Sequence, residues 1–199
     1  SPAWQRLEEA IDGDTRVVLI DRTMDRVEVL GLYAACDAYV SLHRAEGFGR
    51  GPAEAMALGK PVIATAYSGN MDFTRPDTAL LVDYRLVPVG AGEYPMHEGQ
   101  VWADADVAHA ARHMRRLADD AAFAQVLLAR EPSAQQLEAQ IDEVGIDDVG
   151  LAIVPDLGSA ACEPRVPDGI AGHPDLARQT EQLRHAVETD PTAALVPGK

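Results

Sequence analysis

Two glutamates, Glu46 and Glu54, flank the run EGFGRGPAE, which stands between the apolar stretches AYVSL and PVIAT. Carboxylates set around a glycine-rich turn at a helix start suit a ligand that is both anionic and rich in hydroxyls. Gly47, Gly49 and Gly51 permit positive φ and a close backbone approach to such a ligand. Pro52 suits the first helical turn, where its missing N–H would be an orphan anyway. The free amides of that turn, with the positive end of the helix dipole behind them, form an anion site fit for a diphosphate. Glu46, ahead of the turn, can accept hydrogen bonds from sugar hydroxyls, and Glu54, about one turn inside the helix, can reach the two hydroxyls of a ribose. Glutamate at the third helical position is also favoured by dipole and capping effects of about 0.3–1 kcal/mol, and a loop carboxylate is often merely solvated. Spacing alone leaves the structural and the functional reading open.

The elements that must position this turn are legible as alternating apolar runs and helical patterns. Arg16 to Ile20 (RVVLI) reads as a buried strand, Asp25 to Cys36 as a helix, and Ala38 to Leu42 as a second strand. A short helix from Pro52 to Leu58 ends at Gly59 with Pro61 beyond it, a stop signal. Pro61 to Thr65 and Thr78 to Asp83 supply two further strands. This alternation predicts an α/β fold of parallel, right-handed β-α-β units. In open parallel sheets ligands bind beyond the carboxyl ends of the strands. His43 and Arg44, after the second strand, therefore face the proposed site: Arg44 as a cation for a leaving diphosphate, His43 as a hydrogen-bond donor to the sugar. A His-Arg pair at a strand end also commonly serves as a solvated or backbone-capping pair. Ser68, Gly69, Asn70 and Asp72 fall where the next loop closes over the sugar, with Asn70 or Asp72 placed to select hydroxyls, although SGN is ordinary turn chemistry as well.

Composition narrows the functional classes. The chain has 199 residues, 47% of them hydrophobic, enough for one globular domain and a tail. No apolar run approaches the roughly 20 residues of a membrane span, and the start of the chain lacks a secretory-signal pattern, so the expectation is a soluble, cytoplasmic protein without a membrane span. A net charge of −15 argues against nucleic acid as a partner. Cys36 and Cys162 lie in unlike contexts and are expected as reduced thiols. The remaining histidines, His97, His109, His113, His173 and His185, show no metal-ligand spacing, so no metal and no cofactor are expected. Neither a nucleophile elbow nor a Walker-type phosphate loop occurs.

SLHRAEGFG, EAMALGKPVIAT and YSGNMDF together resemble the donor-binding half of retaining GT-B glycosyltransferases of family 4, over about Asp21 to Asp120. The resemblance includes that family's paired glutamates with seven residues between them; it departs at Arg50, where many members carry an aliphatic residue. It implies a Rossmann-like parallel sheet, the partial C-terminal domain of a GT-B enzyme, that moves a sugar, of hexosyl type, from a nucleotide diphosphate sugar to an acceptor hydroxyl on a sugar or glycan. No metal is implied. Glu46 is the implied catalytic residue, and His43, Arg44, Gly47, Phe48, Gly49, Arg50, Gly51, Glu54, Ser68, Gly69 and Asn70 are the implied substrate-binding set. Against that family the chain reads as truncated: the acceptor-binding domain, and the opening β-α units whose Arg and Lys clamp the diphosphate, have no counterpart before Ser1. An exposed strand edge then offers a surface for self-association. A non-catalytic nucleotide-sugar-binding or protein-interaction fragment is the alternative reading.

The domain division expected is 1–130, a partial nucleotide-sugar-binding domain, and 131–199, an acidic extension that is helical or partly disordered. Tyr84 to Val101 reads as a Gly- and Pro-bearing connection. Asp104 to Leu117 reads as an amphipathic helix with Val107, Ala110, Ala111, Met114 and Leu117 inward, partnered by Asp120 to Arg130. Trp102 reads as a packing anchor. Residues 131–199 carry 13 acidic and 4 basic side chains, net −9, against −6 for residues 1–130. Within them Val144 to Pro174 has no clear period, and Asp175 to Thr189 is a candidate final helix.

Overall fold

The computed structural model describes residues 2–14 and 16–128. The expectations for 131–199, including the helix at 175–189 and the state of Cys162, lie outside the described residues.

Three parallel strands form the centre: β1 (Tyr39–Ser41), β2 (Val62–Thr65) and β3 (Leu80–Val82), in the order β1-β2-β3. Tyr39 stands opposite Val62, and Ile63 opposite Leu80. Alternate side chains leave a strand on opposite faces, and both faces here are apolar. Tyr39, Val62 and Ala64 join Leu30, Tyr33, Met56 and Phe73 on one side. Val40, Ile63 and Val82 join Ala110, Leu117 and Leu127 on the other. Helices α2 (Arg26–Ala35) and α3 (Arg50–Ala57) supply the first layer, and α4 (Val107–Asp119) and α5 (Ala121–Leu128) the second. This doubly covered parallel sheet is the α/β arrangement expected.

The helix boundaries follow local chemistry. The Asp25 carboxylate accepts the Glu28 N–H at 2.8 Å, and the Glu28 carboxylate accepts the Asp25 N–H at 2.9 Å, a reciprocal cap that starts α2 at Arg26. Helix α3 begins at Arg50, two residues before the expected Pro52, because Gly49 takes φ +89° and turns the chain early. Pro52 becomes its third residue, still among the amides that lack an intrahelical acceptor, so no hydrogen bond is lost. At the other end Gly59 has φ +65°, and the N–H groups of Gly59 and Lys60 reach the carbonyls of Met56 and Ala55, both at 2.9 Å. That pair of bonds is the Schellman closure that the Gly-then-Pro signal announced.

Three expectations are corrected. Residues 16–20 form no strand: Val17 is 45% exposed, its N–H closes a turn on the Asp14 carbonyl, and β1 pairs with β2 alone among the described strands. An apolar run becomes a strand only where a ladder and a face to bury are both offered. The segment following β3 is more than a connection. Its ends pair as an antiparallel hairpin, β4 (Tyr84–Pro88) with β5 (Val101–Ala105), clasped across the strands by Arg85 Nη2 and Asp104 Oδ2 at 2.7 Å. Helix α4, capped by Asp106, turns Ala110, Met114 and Leu117 inward as expected, but Val107 is 68% exposed and Ala111 is also exposed. His113 is turned partly inward instead, with Nε2 donating to the Leu81 carbonyl at 3.1 Å. The first helix, α1 (Pro2–Ile11), precedes this core. Among the described residues no helix is long and apolar enough to cross a membrane.

Candidate functional site

Two loops leave the carboxyl ends of β1 and β2, and the structure knits them together. The Glu46 N–H donates to Ser68 Oγ at 2.7 Å, Ser68 Oγ donates to the Glu46 carbonyl at 2.9 Å, and the Gly69 N–H reaches that same carbonyl at 3.2 Å. Ser68 reaches this position at φ +69°, ψ −147°, a backbone shape that a residue with a Cβ rarely takes and that costs roughly 1–3 kcal/mol. A Cβ on Gly69 would overlap the Gly47 carbonyl, so the loops approach too closely for any side chain there. Of the three glycines in the turn, Gly49 alone has positive φ, and a Cβ on it would sit 2.9 Å from that of Asn70. Gly51 is needed for space: a Cβ there would drive into the Tyr39 hydroxyl. Gly47 has neither constraint and lies exposed.

The Tyr39 hydroxyl lies beneath the turn, against Gly51, near enough to Glu46 and Glu54 to feel their charge. Burial holds that phenol far above its usual range, Tyr33 adds to the effect, and the negative charges of Glu46 and Glu54 raise it further. Tyr39 therefore stays neutral, edge-on to Tyr33 with ring centroids 5.1 Å apart. In sequence Tyr39 is one residue of an apolar strand, and nothing in its spacing marks it as the group beneath Gly51.

The Glu54 side chain is 8% exposed, and its Oε1 accepts from Arg26 Nη1 at 2.6 Å and from Arg50 Nε at 3.0 Å. Arg50, which departs from the pattern of the resembling enzymes, thus has a definite task. Arg26 escaped the sequence reading because it lies 28 residues from its partner and only folding joins them.

Several predicted side chains are placed differently from their expected roles. Asn70 is fully buried. Its Nδ2 donates to the Thr65 carbonyl and to Thr74 Oγ1, both at 3.0 Å, and its Oδ1 faces His43 Nε2 at 3.1 Å. It braces the loop from within and does not face a sugar. His43 is committed in the same way. Both neighbours of its Nε2, the Tyr67 carbonyl at 3.0 Å and Asn70 Oδ1, are acceptors, so Nε2 carries the proton and Nδ1 accepts the Ser41 hydroxyl at 3.2 Å. Burial lowers the His43 pKa below the ordinary imidazole value, partly opposed by these bonds. The neutral ring is a tie between loops. Phe48 packs on Phe73, with centroids 5.0 Å apart, as part of the apolar layer.

Arg44 turns away from Glu54, toward the hairpin. Its guanidinium lies 4.5 Å from the Trp102 ring centroid and 3.7 Å from Asp104, while its carbonyl accepts the Ala103 N–H at 2.8 Å. Trp102 packs as expected, although against a cation. Tyr67 and Tyr84 meet with centroids 5.1 Å apart, so the hairpin stands against both site loops. Asp72 is exposed beside the second loop. A separate cleft between the β3 edge, α4 and α5, lined by Leu80, His109, His113, Arg116 and Phe123, contains none of these residues. Among the described residues no group of three His, Cys, Asp or Glu side chains is placed to hold a metal ion, and Cys36 is buried with its Sγ donating to the Leu32 carbonyl at 3.1 Å.

The assembled arrangement stands at the carboxyl ends of parallel strands, with α3 amides, two carboxylates and two guanidiniums around a tight turn. Residues 6–85 match the family model described as Glycosyl transferases group 1. Over that segment the chain is a group 1 glycosyl transferase domain, a partial C-terminal GT-B domain, and the match ends just inside β4. No curated protein and no solved structure matches the chain.

Proposed function

We propose that this group 1 glycosyl transferase segment binds the donor in a retaining transfer of a sugar, of hexosyl type, from a nucleotide diphosphate carrier to an acceptor hydroxyl. The observation that supports this most is the glycine turn that opens helix α3 at the carboxyl end of a parallel strand, seated on the Tyr39 hydroxyl at Gly51 and tied at Glu46 to the Ser68–Gly69 loop. The amides of Arg50 and Gly51 at the start of α3 stabilise charge growing on the leaving diphosphate, a preorganised electrostatic contribution that needs no bound metal. Glu46 orients the sugar ring through its hydroxyls, and Glu54 holds the ribose. The leaving phosphate assists the acceptor on the same face, so Glu46 need not become a covalent nucleophile.

A thermal-shift panel of UDP, GDP, ADP and their sugars tests the donor assignment, since a ligand that binds only the folded form raises its apparent stability. One nucleotide should stand out; a flat panel removes the donor reading. With that donor, Glu46→Gln keeps the shape and removes the charge, and is expected to lower turnover about a hundredfold while leaving nucleoside diphosphate affinity in place. Equal turnover would take Glu46 off the catalytic list. Specific binding without turnover in the unaltered chain would favour the non-catalytic binding module.

A further inference from the structure

We infer that the β4–β5 hairpin is a positioning element of the donor site: through Trp102, Ala103 and Asp104 it holds Arg44, and with it the loop that carries Glu46. This rests on the donor reading above and deepens it. Three consecutive residues of β5 meet one residue of that loop. The Ala103 N–H donates to the Arg44 carbonyl at 2.8 Å, the Arg44 guanidinium lies 4.5 Å from the Trp102 ring centroid, and Asp104 Oδ1 stands 3.7 Å from Arg44 Nη2. Side chains two apart on a strand share a face, so one guanidinium can span Trp102 and Asp104 while Ala103 is buried. Asp104 Oδ2 also accepts from Arg85 Nε at 2.9 Å and Nη2 at 2.7 Å, across the hairpin. Closing the hairpin and holding Arg44 therefore use the same carboxylate.

Packing alone does not account for the indole. Trp102 Nε1 is buried and meets no hydrogen-bond acceptor among the described residues, a cost that a phenyl or leucyl side chain would avoid. What tryptophan adds is the best aromatic face for a cation. The second loop ties the Glu46 loop at His43, through Tyr67 and Asn70, and at Glu46, through Ser68. Held by that neighbour alone the segment could pivot; β5, holding it at Arg44, removes the pivot. On the other strand of the hairpin, Tyr84 meets Tyr67 with centroids 5.1 Å apart, so both loops are braced at once. The loops lie inside the matched residues 6–85, whereas β5 begins at Val101, outside them.

The test is titration calorimetry on the whole chain with two probes, the nucleotide sugar singled out by the thermal-shift panel and its nucleoside diphosphate. Under the donor reading Glu46 orients the sugar, while Glu54, held by Arg26 and Arg50, takes the ribose, so disturbing the hairpin should cost the sugar alone. Trp102→Leu is expected to weaken the nucleotide sugar about tenfold, the size of a desolvated cation–π contact, and the nucleoside diphosphate less than about twofold. Trp102→Phe, with a weaker aromatic face, should recover part of the loss. Asp104→Asn, at a carboxylate 31% exposed, should act in the same direction and serves where Trp102→Leu fails to fold. In an Arg44→Met background the further change Trp102→Leu should add nothing, since both remove one contact. If the two probes weaken by the same factor, or if the two changes add, the hairpin serves only the fold and this assignment fails. If both affinities stay intact, the assignment fails while the donor reading survives. If the unaltered chain binds neither probe, the donor reading fails and the role of the hairpin goes with it.

Discussion

Glu46 and Glu54 bracket the same turn but are held by opposite means. Glu54 is a buried charge gripped by two guanidiniums from two helices. Glu46 is held by its peptide: the Ser68 hydroxyl and the Gly69 amide take its N–H and its carbonyl. Charge fixes the Glu54 carboxylate, and loop-to-loop hydrogen bonds fix the Glu46 backbone. The two sides should therefore fail in different ways, one through electrostatics and one through steric fit.

The largest effect is expected from Gly69→Ala, which forces the two loops apart by pressing a methyl on the Gly47 carbonyl. Loss of about 3 kcal/mol in urea unfolding is expected, the upper end of overpacking costs, because backbone and not a flexible side chain must move. A loss under about 1 kcal/mol would show that the loops separate easily, and the steric half of the comparison would be lost. Next comes Glu54→Gln, which leaves the two guanidiniums with an uncharged partner. About 2 kcal/mol of destabilisation is expected, discounted because Arg26 is half exposed to screening solvent. Glu46→Gln should stay within about 0.5 kcal/mol of the parent. Equal losses for the two amides would erase the distinction.

The smallest effect is on pH dependence. Burial depresses the His43 pKa in the folded state, so the unfolded chain binds the extra proton first as pH falls. The stability this neutral ring provides is complete above the unfolded value of 6.5 and drains away as pH drops below it toward the folded pKa. His113, depressed chiefly by burial as well, acts in the same direction. Melting temperature should therefore decline between pH 7.5 and 5.5, and His43→Gln, which keeps a donor but cannot titrate, should flatten part of that decline. An unchanged slope would show that His43 does not couple the loops to pH.

What could be read from sequence was whatever is coded within a few residues. Buried parallel strands appear as short apolar runs, and α2 and α3 carry their stop and start signals locally, in Asp25, Gly49 and Gly59. The glutamate pair and the Ser68–Gly69 loop were legible for the same reason. The run at 16–20 misled because apolarity does not specify a ladder. The hairpin was hidden because its pairing joins residues on either side of a Gly- and Pro-rich stretch, and its strand β4 is mostly exposed. Around the turn, the type of side chain is legible in sequence where its partner is not. Arg44 is a cation, yet it serves Trp102; His43 and Asn70 are polar, yet they bond one another; Arg26 became visible only when α2 was packed on α3.

Ser68 carries a consequence for how a guest would enter. Its strained backbone and the ring its hydroxyl closes with residue 46 mean that the two loops are joined in advance, with the entropy of joining them charged to folding and not to association. Amides 46 and 69 should then resist solvent hydrogen exchange to the same degree with the site empty or filled, as in a rigid mould and unlike a closing hand.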